Sequence, residues 1–387
     1  MNNDLTYELN DLRGRGLYRS LRRVESAPGP RVTLDGREVI VFGSNNYLGL
    51  STHPDVVDAA VDAVRTWGAG SSGSRLTTGN LAIHEELERD LAAFKGTETA
   101  LVFGTGYMAG LGVLTALAGP GDLILSDALN HASLIDGCRL SRAEIRVYRH
   151  NDVDHVRELL VDGGRFRRRL IVTDGVFSMD GDVAPLPELR QFAADVDGWL
   201  VVDDAHGTGV LGANGRGSLE FCGVDTTDVV QMGTLSKALG AEGGFIAGSQ
   251  VLIDYLVNRA RPFIFSTSAA PAGLAAARAA LRAVSTEPER RVAVLENAAR
   301  LRNGLRAAGF EVPEGVTPIV PVIFGESGYT AKFAEALLER GVYAPAIRPP
   351  TVPQGSARLR MSVMSTHSAV DIDEAVGGMV EVRKMLG

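Results

Sequence analysis

The chain reads as an α/β protein with a mainly parallel sheet. Three observations predict this. Short, near-continuous apolar runs recur between residues 45 and 285. Several are separated by helical stretches such as AIHEELERDLAAF and PLPELRQFAADV. Turn residues close each run. Apolar runs without alternation belong to strands buried on both faces, and strand–helix alternation builds a layered sheet.

In chain order, residues 1 to about 42 predict a helical arm followed by a hairpin, VTLDGREVIVF, turning at Asp35-Gly36. Strands are expected at TALVF (99–103), DLILSD (122–127), RLIVTD (169–174), WLVVDD (199–204), DVVQMG (228–233) and GGFIAG (243–248). The alanine-rich run from AGLAAARAAL to NGLRAAG predicts one long helical pattern leading into a smaller α+β region. That region holds PIVPVIFG, a helix near 330–340, the strand ARLRMSV and a final helix. The expected division is an N-terminal arm (1–44), a large α/β domain (45–285) and a small C-terminal domain (286–387). A length of 387 residues suits two or three domains at roughly 150 residues each.

Composition narrows the function. Charged residues make up 22% and the net charge is −8, which argues against nucleic acid as the main partner. No apolar stretch approaches the roughly 20 residues of a membrane span, and the N-terminus has no secretory pattern. Cys138 and Cys222 stand alone, with no CxxC or histidine cluster beside them, so neither a disulfide framework nor a metal site is expected. A reducing setting fits. Of 39 basic residues only four are lysines, Lys95, Lys237, Lys332 and Lys384. Lys95 reads as a cation at a helix C-terminus, Lys332 as a surface residue and Lys384 as part of the chain end. Lys237 sits among small residues in GTLSKALGAEGG, just after a strand, where a specific need for an amine is plausible.

Ligands of open α/β sheets bind beyond the strands' carboxyl ends. Those ends carry Gly104-Thr105-Gly106-Tyr107, Asn130-His131, Gly175 to Ser178, Ala205-His206 after Asp203, and Thr234 to Lys237. A glycine turn opening a helix can cradle phosphate. A buried lysine can bind an aldehyde. A carboxylate can keep a pyridine nitrogen protonated, and histidines can stack on the ring or hydrogen-bond its oxygen. Together these are the requirements of pyridoxal 5′-phosphate; singly, each residue is more often structural. The rival is a dinucleotide-binding module, because GTGYMA (104–109) and GTGVLG (207–212) match GxGxxG/A. The second lacks a preceding strand end and runs into a turn. The first lacks a nucleotide-domain continuation.

SNNYLGL (44–50), SDALNHASLIDG (126–137), TDGVFSMDGD (173–182), VDDAHGTGVLGANGRGS (202–218), GTLSKALG (233–240) and RPPTVPQGSARLR (348–360) together resemble the α-oxoamine synthases. These are fold-type-I pyridoxal-phosphate transferases that condense an amino acid with an acyl-CoA and release CO2. The resemblance implies a cytoplasmic homodimer with shared active sites. It implies Lys237, Asp203, His206 and His131 as the catalytic set. It implies that Gly106, Tyr107, Ser178, Thr234 and, from the partner subunit, Thr267 help hold the coenzyme. Asn45 and Arg360 would bind the amino-acid carboxylate and Thr351 would line the acyl side, with Arg19 and Arg22 near the CoA phosphates. Arg358 is expected to be a surface ion pair. Within the family the match favours members acting on L-alanine with pimeloyl-CoA or a pimeloyl carrier protein, in biotin biosynthesis. Those using glycine and acetyl-CoA are the alternative. Two positions depart from the family pattern, Gly110 where asparagine is frequent and Asp174 where glutamate is. Both are expected to bear on the acyl side.

Overall fold

The computed structural model describes residues 2–15, 17–161 and 166–387. Its centre is a seven-stranded sheet. The strands, in chain order, begin with a small hairpin, β1 (Arg31–Leu34) and β2 (Arg37–Val41). The large sheet follows, with β3 (Thr99–Phe103), β4 (Leu123–Asp127), β5 (Glu144–Tyr148), β6 (Arg169–Asp174), β7 (Trp199–Asp203), β8 (Val229–Thr234) and β9 (Gly244–Gly248). The C-terminal region adds β10 (Ile319–Gly325), β11 (Val342–Tyr343), β12 (Ala346–Ile347) and β13 (Ala357–Ser362).

The large sheet has the order β3-β9-β8-β7-β6-β4-β5. Only β9 runs against the others, pairing antiparallel with both β3 and β8. The six strands expected from apolar runs are present. The edge strand β5, EIRVY, was missed because it is short, only Tyr148 of it is fully buried, and it includes Glu144 and Arg146 in place of an apolar run. Leu101, Ile124, Val172, Val201 and Met232 pack on one face, under the helices Gly106–Leu117, Ala132–Ser141 and Gln250–Arg259. Leu125, Ile171, Leu200 and Val202 pack on the other, against Leu186–Asp195. Each such fully buried side chain contributes about 1.5–3 kcal/mol. Double-sided burial explains why these strands read as unbroken apolar runs.

The alanine-rich stretch is not one helix. It breaks at Glu287-Pro288 into Pro271–Thr286 and Glu289–Ala307. Proline cannot donate the backbone hydrogen bond that a continuous helix needs there. The C-terminal strands form a sheet of order β10-β13-β12, while β11 pairs in parallel with β2 of the N-terminal hairpin. The hairpin thus completes a sheet with the C-terminal region, and Ser362 N–H donates to the Phe42 carbonyl. That join brings the 44–50 segment to the end of β13.

Candidate active site

Strands β3, β4, β6, β7 and β8 all point their carboxyl ends to one side. The register places Asp174 directly opposite Asp203 across β6 and β7. Both are buried, and burial pushes both carboxyls above their ordinary range. In Asp174 the neighbouring Asp203 charge adds to this; in Asp203 the nearby Lys237 and His131 oppose it. Asp203 Oδ1 accepts the Ala205 N–H at 3.0 Å, and its other oxygen has no partner among the described residues. Asp174 Oδ1 accepts the backbone N–H of His131 at 3.1 Å, which fixes where the helix Ala132–Ser141 begins.

Lys237 follows β8 by three residues. Its amine makes no hydrogen bond or ion pair among the described residues. Burial lowers its pKa, with Asp203 and Asp174 acting in opposition. A free-base amine is the form that attacks an aldehyde or accepts a proton. His131 presents an exposed ring whose Nδ1 meets Ser133 Oγ at 2.8 Å. His206 is buried, and burial followed by the charges of Lys237 and Arg360 drives its pKa well below the usual range, so it is neutral.

One residue that the sequence reading passed over connects these groups. Tyr47 lies fully buried with its hydroxyl 2.7 Å from His206 Nδ1. The same oxygen accepts from Arg360 Nη2 at 3.3 Å. The Tyr47 hydroxyl has two acceptors for its single proton, Asn45 Oδ1 at 3.3 Å and, at the shorter distance, His206 Nδ1. With Nδ1 accepting from Tyr47, the neutral His206 imidazole carries its own proton on Nε2. The signal for Tyr47 was its place in the SNNYLGL motif beside Asn45.

Arg360 is buried at the centre of β13. Its guanidinium donates to Asn45 Oδ1 at 3.2 Å from both Nη atoms, to Ser362 Oγ at 3.0 Å and to the Ser178 carbonyl. No carboxylate among the described residues pairs with it. Arg358, two residues away, is the contrast. Expected on the surface, it is buried and bonded to Asp180 and to the Met179 carbonyl. Both arginines therefore face inward, and only Arg360 retains a charge without a protein counter-ion. Buried charge of that kind awaits an anionic ligand.

The glycine turn after β3 opens the helix Gly106–Leu117, with Thr105 Oγ1 accepting the Met108 N–H at 3.1 Å. Helix geometry gives the backbone N–H groups of Gly106 and Tyr107 at its start no partner within the helix. Space there is tight. A Cβ on Gly106 would sit 3.3 Å from Thr234 Cβ, and one on Gly244 would sit 2.5 Å from Gly106 Cα. Gly106 and Thr234 thus adjoin in a cradle that backbone alone can line. Thr234 Oγ1 is held by the Gly243 carbonyl at 2.9 Å and Ser236 Oγ at 2.8 Å. The Tyr107 hydroxyl donates to Asp136.

The more distant residues separate. Arg19 and Thr351 line one cleft of about 490 Å³ with Arg348 and Pro350. Arg22 stands apart, bonded to Glu335 at 2.7 Å and Asp35 at 3.4 Å. Thr267 is exposed on a loop bridged to Ser74, and no described contact links it to the cluster. Gly110 and Asp174 both adjoin the start of the helix that follows His131. A Cβ on Gly110 would meet Ser133 Oγ at 2.9 Å, and Asp174 holds the His131 N–H.

The donor set fits pyridoxal phosphate. It offers an anion cradle, an amine and a carboxylate oxygen that have no partner among the described residues, an open histidine face and a neutral imidazole. Of the two dinucleotide-like stretches, GTGVLG forms turns closed by Asp204 and not a helix entry, while GTGYMA does follow β3 and open a helix.

Fold and site together define a fold-type-I pyridoxal-phosphate transferase. A family model, aminotransferase class I and II, matches residues 37–378. The 8-amino-7-oxononanoate synthase of Geotalea daltonii is 51% identical over 98% of both chains. The 8-amino-7-oxononanoate synthase 2 of Bacillus subtilis is 48% identical, covering 99% of this chain and 98% of its own. Among solved structures, a serine palmitoyltransferase from S. paucimobilis, bound to a PLP–myriocin aldimine, superposes with a TM-score of 0.93 at 35% identity, covering 99% of this chain and 98% of that one. The chain belongs to the aminotransferase class I and II family and, within it, to the α-oxoamine synthases. It is a pyridoxal-phosphate-dependent acyltransferase.

Proposed function

We propose that this enzyme condenses L-alanine with a pimeloyl thioester, of CoA or of a carrier protein, in biotin biosynthesis. The products are 8-amino-7-oxononanoate, CO2 and the free thiol. The substrates follow from the names of full-length relatives at about half identity. The observation that carries the site is the pairing of an unbonded Lys237 amine with a buried Arg360 that has no protein counter-ion.

In this reading Arg360 grips the alanine carboxylate in a planar, two-point contact, with Asn45 and Tyr47 fixing the fork. Lys237 would hold the coenzyme through its aldehyde carbon, and its amine is the group placed to take the substrate's α-proton. Bound pyridoxal phosphate supplies the electron-poor ring that accepts the electron pair from the broken C–H bond. Asp203 would pair with the ring nitrogen, His206 would donate to the ring oxygen, and His131 would stack on the ring. Gly106 and Tyr107 N–H groups, with Thr234 and Ser178, receive the phosphate and ring. The cleft of Arg19 and Thr351 receives the acyl chain, and Arg22, already paired, has a lesser part in binding CoA phosphates.

We also propose a homodimer in which Thr267 of the partner subunit completes the coenzyme site, and keep the three-part division at residues 44 and 285. Among the described residues no helix is long and apolar enough to cross a membrane.

The test is thiol release with three substrate pairs. Alanine with pimeloyl-CoA should turn over at least tenfold faster than glycine with acetyl-CoA or serine with palmitoyl-CoA. A preference for either other pair overturns the substrate assignment and leaves the coenzyme site intact.

A further inference from the structure

Lys95 was expected to be an ordinary cation closing a helix. It ends the helix Ala82–Lys95, yet its side chain is completely buried. Its Nζ donates to Asp204 Oδ2 at 2.8 Å, to Thr208 Oγ1 at 3.4 Å and to the Arg216 carbonyl. Asp204 follows Asp203 directly. Successive side chains at a strand end point to opposite sides, so Asp203 faces the coenzyme cluster while Asp204 faces Lys95.

Asp204 also gathers the segment that follows. Its Oδ1 accepts the Ser218 N–H at 3.0 Å and its Oδ2 the Thr208 hydroxyl at 3.2 Å. Its carbonyl accepts the N–H groups of Gly207 and Thr208. Its own N–H donates to Met232 of β8, two residues before Thr234. His206 sits in the turn between Asp204 and Thr208, with both ends bound to one lysine. The chain clears room for this carboxylate. A Cβ on Gly207 would lie 2.2 Å from Asp204 Oδ1, and one on Gly217 would lie 1.6 Å from Oδ2. Desolvating two charges largely cancels their attraction, so such a pair is poorly explained as a source of stability alone. Its better-attested use is to select one geometry.

We propose that Lys95 is a positioning residue for the coenzyme, acting through Asp204 to hold the 203–208 turn. The pair fixes the backbone that carries the Asp203 carboxylate and the His206 imidazole. This rests on the coenzyme site proposed above and is independent of the acyl donor.

The test compares wild type with Lys95→Met, Asp204→Asn and the double variant. The double variant leaves no unpaired buried charge and carries the experiment if a single variant does not fold. The measurements are the dissociation constant for pyridoxal phosphate added to the apo chain, the absorption maximum of the loaded protein, and the melting temperature of the apo form. Expected are at least tenfold weaker coenzyme binding and a displaced absorption maximum in every folded variant, the double included. Turnover should lose kcat while KM for alanine stays within about twofold. A lowered melting temperature with coenzyme affinity within twofold of wild type and an unmoved spectrum would make the pair merely structural and overturn the proposal. Failure of the wild-type chain to bind pyridoxal phosphate would instead defeat the site itself.

Discussion

Lys237 and Asp203 have separable parts. Replacing Lys237 by Ala should abolish turnover and the visible absorption of the loaded enzyme. The apo protein should still melt within a few degrees of wild type, since the amine makes no bond to lose. Turnover assays with spectra check this. Asp203→Asn should retain some coenzyme while kcat falls on the order of 100-fold, the usual scale for one group aimed at developing charge. A near-normal rate would show that another group keeps the ring nitrogen protonated. At this scale the motifs made Lys237, Asp203, His131, His206 and Arg360 legible, because each residue type carries its chemistry in its own side chain. Tyr47, Lys95 and Arg358 were not legible, since their importance lies in what they touch. Lysine scarcity was a usable signal for Lys95, discounted because its place before Gly96 already had a local explanation.

Two elements carry their own tests. Thr105 caps the helix whose first N–H groups form the cradle. Thr105→Ala should cost about 1 kcal/mol of stability and weaken coenzyme binding, read by melting and by titration. The second is the join between β4, β5 and the loop after β6. His150 lies between Asp127 at 3.0 Å and Asp182 at 2.8 Å, with its ring edge-on to Phe177. Burial alone would lower its pKa, but the hydrogen bonds and charges of both aspartates outweigh that and raise it to about 10. A group whose folded pKa is raised adds stability fully present below the unfolded value and lost as pH rises through the folded one. Melting temperature should therefore fall between about pH 6.5 and pH 10, and His150→Gln should flatten that slope. An equal slope in the variant would assign it to other groups. Strands with unbroken apolar runs were readable because both their faces are buried. β5 was not, because an edge strand keeps one partner and mixed exposure. The long alanine-rich pattern hid its break, since helical periodicity continues on both sides of Pro288.

Across the whole molecule, the coenzyme site is assembled from segments more than 300 residues apart, as Arg360 bonded to Asn45 shows. Whatever fills it should tie those segments together. Stripping pyridoxal phosphate should lower the melting temperature, and adding it back at about 100 times its dissociation constant should restore about 2.7 kcal/mol. Calorimetry of apo and reloaded protein reads this directly, and equal melting of both forms would mean that the coenzyme does not bridge the fold.

Sequence alone determined the layered sheet, the coenzyme class and the family, because apolar runs and reactive side chains act locally and are written in order. Only the tertiary structure decided which charges face each other. It paired Arg358 with Asp180 and left Arg360 without a carboxylate partner among the described residues, set the Tyr47 hydroxyl against His206, and buried Lys95 against Asp204. Those outcomes depend on distances between residues far apart in the chain, which no local pattern records.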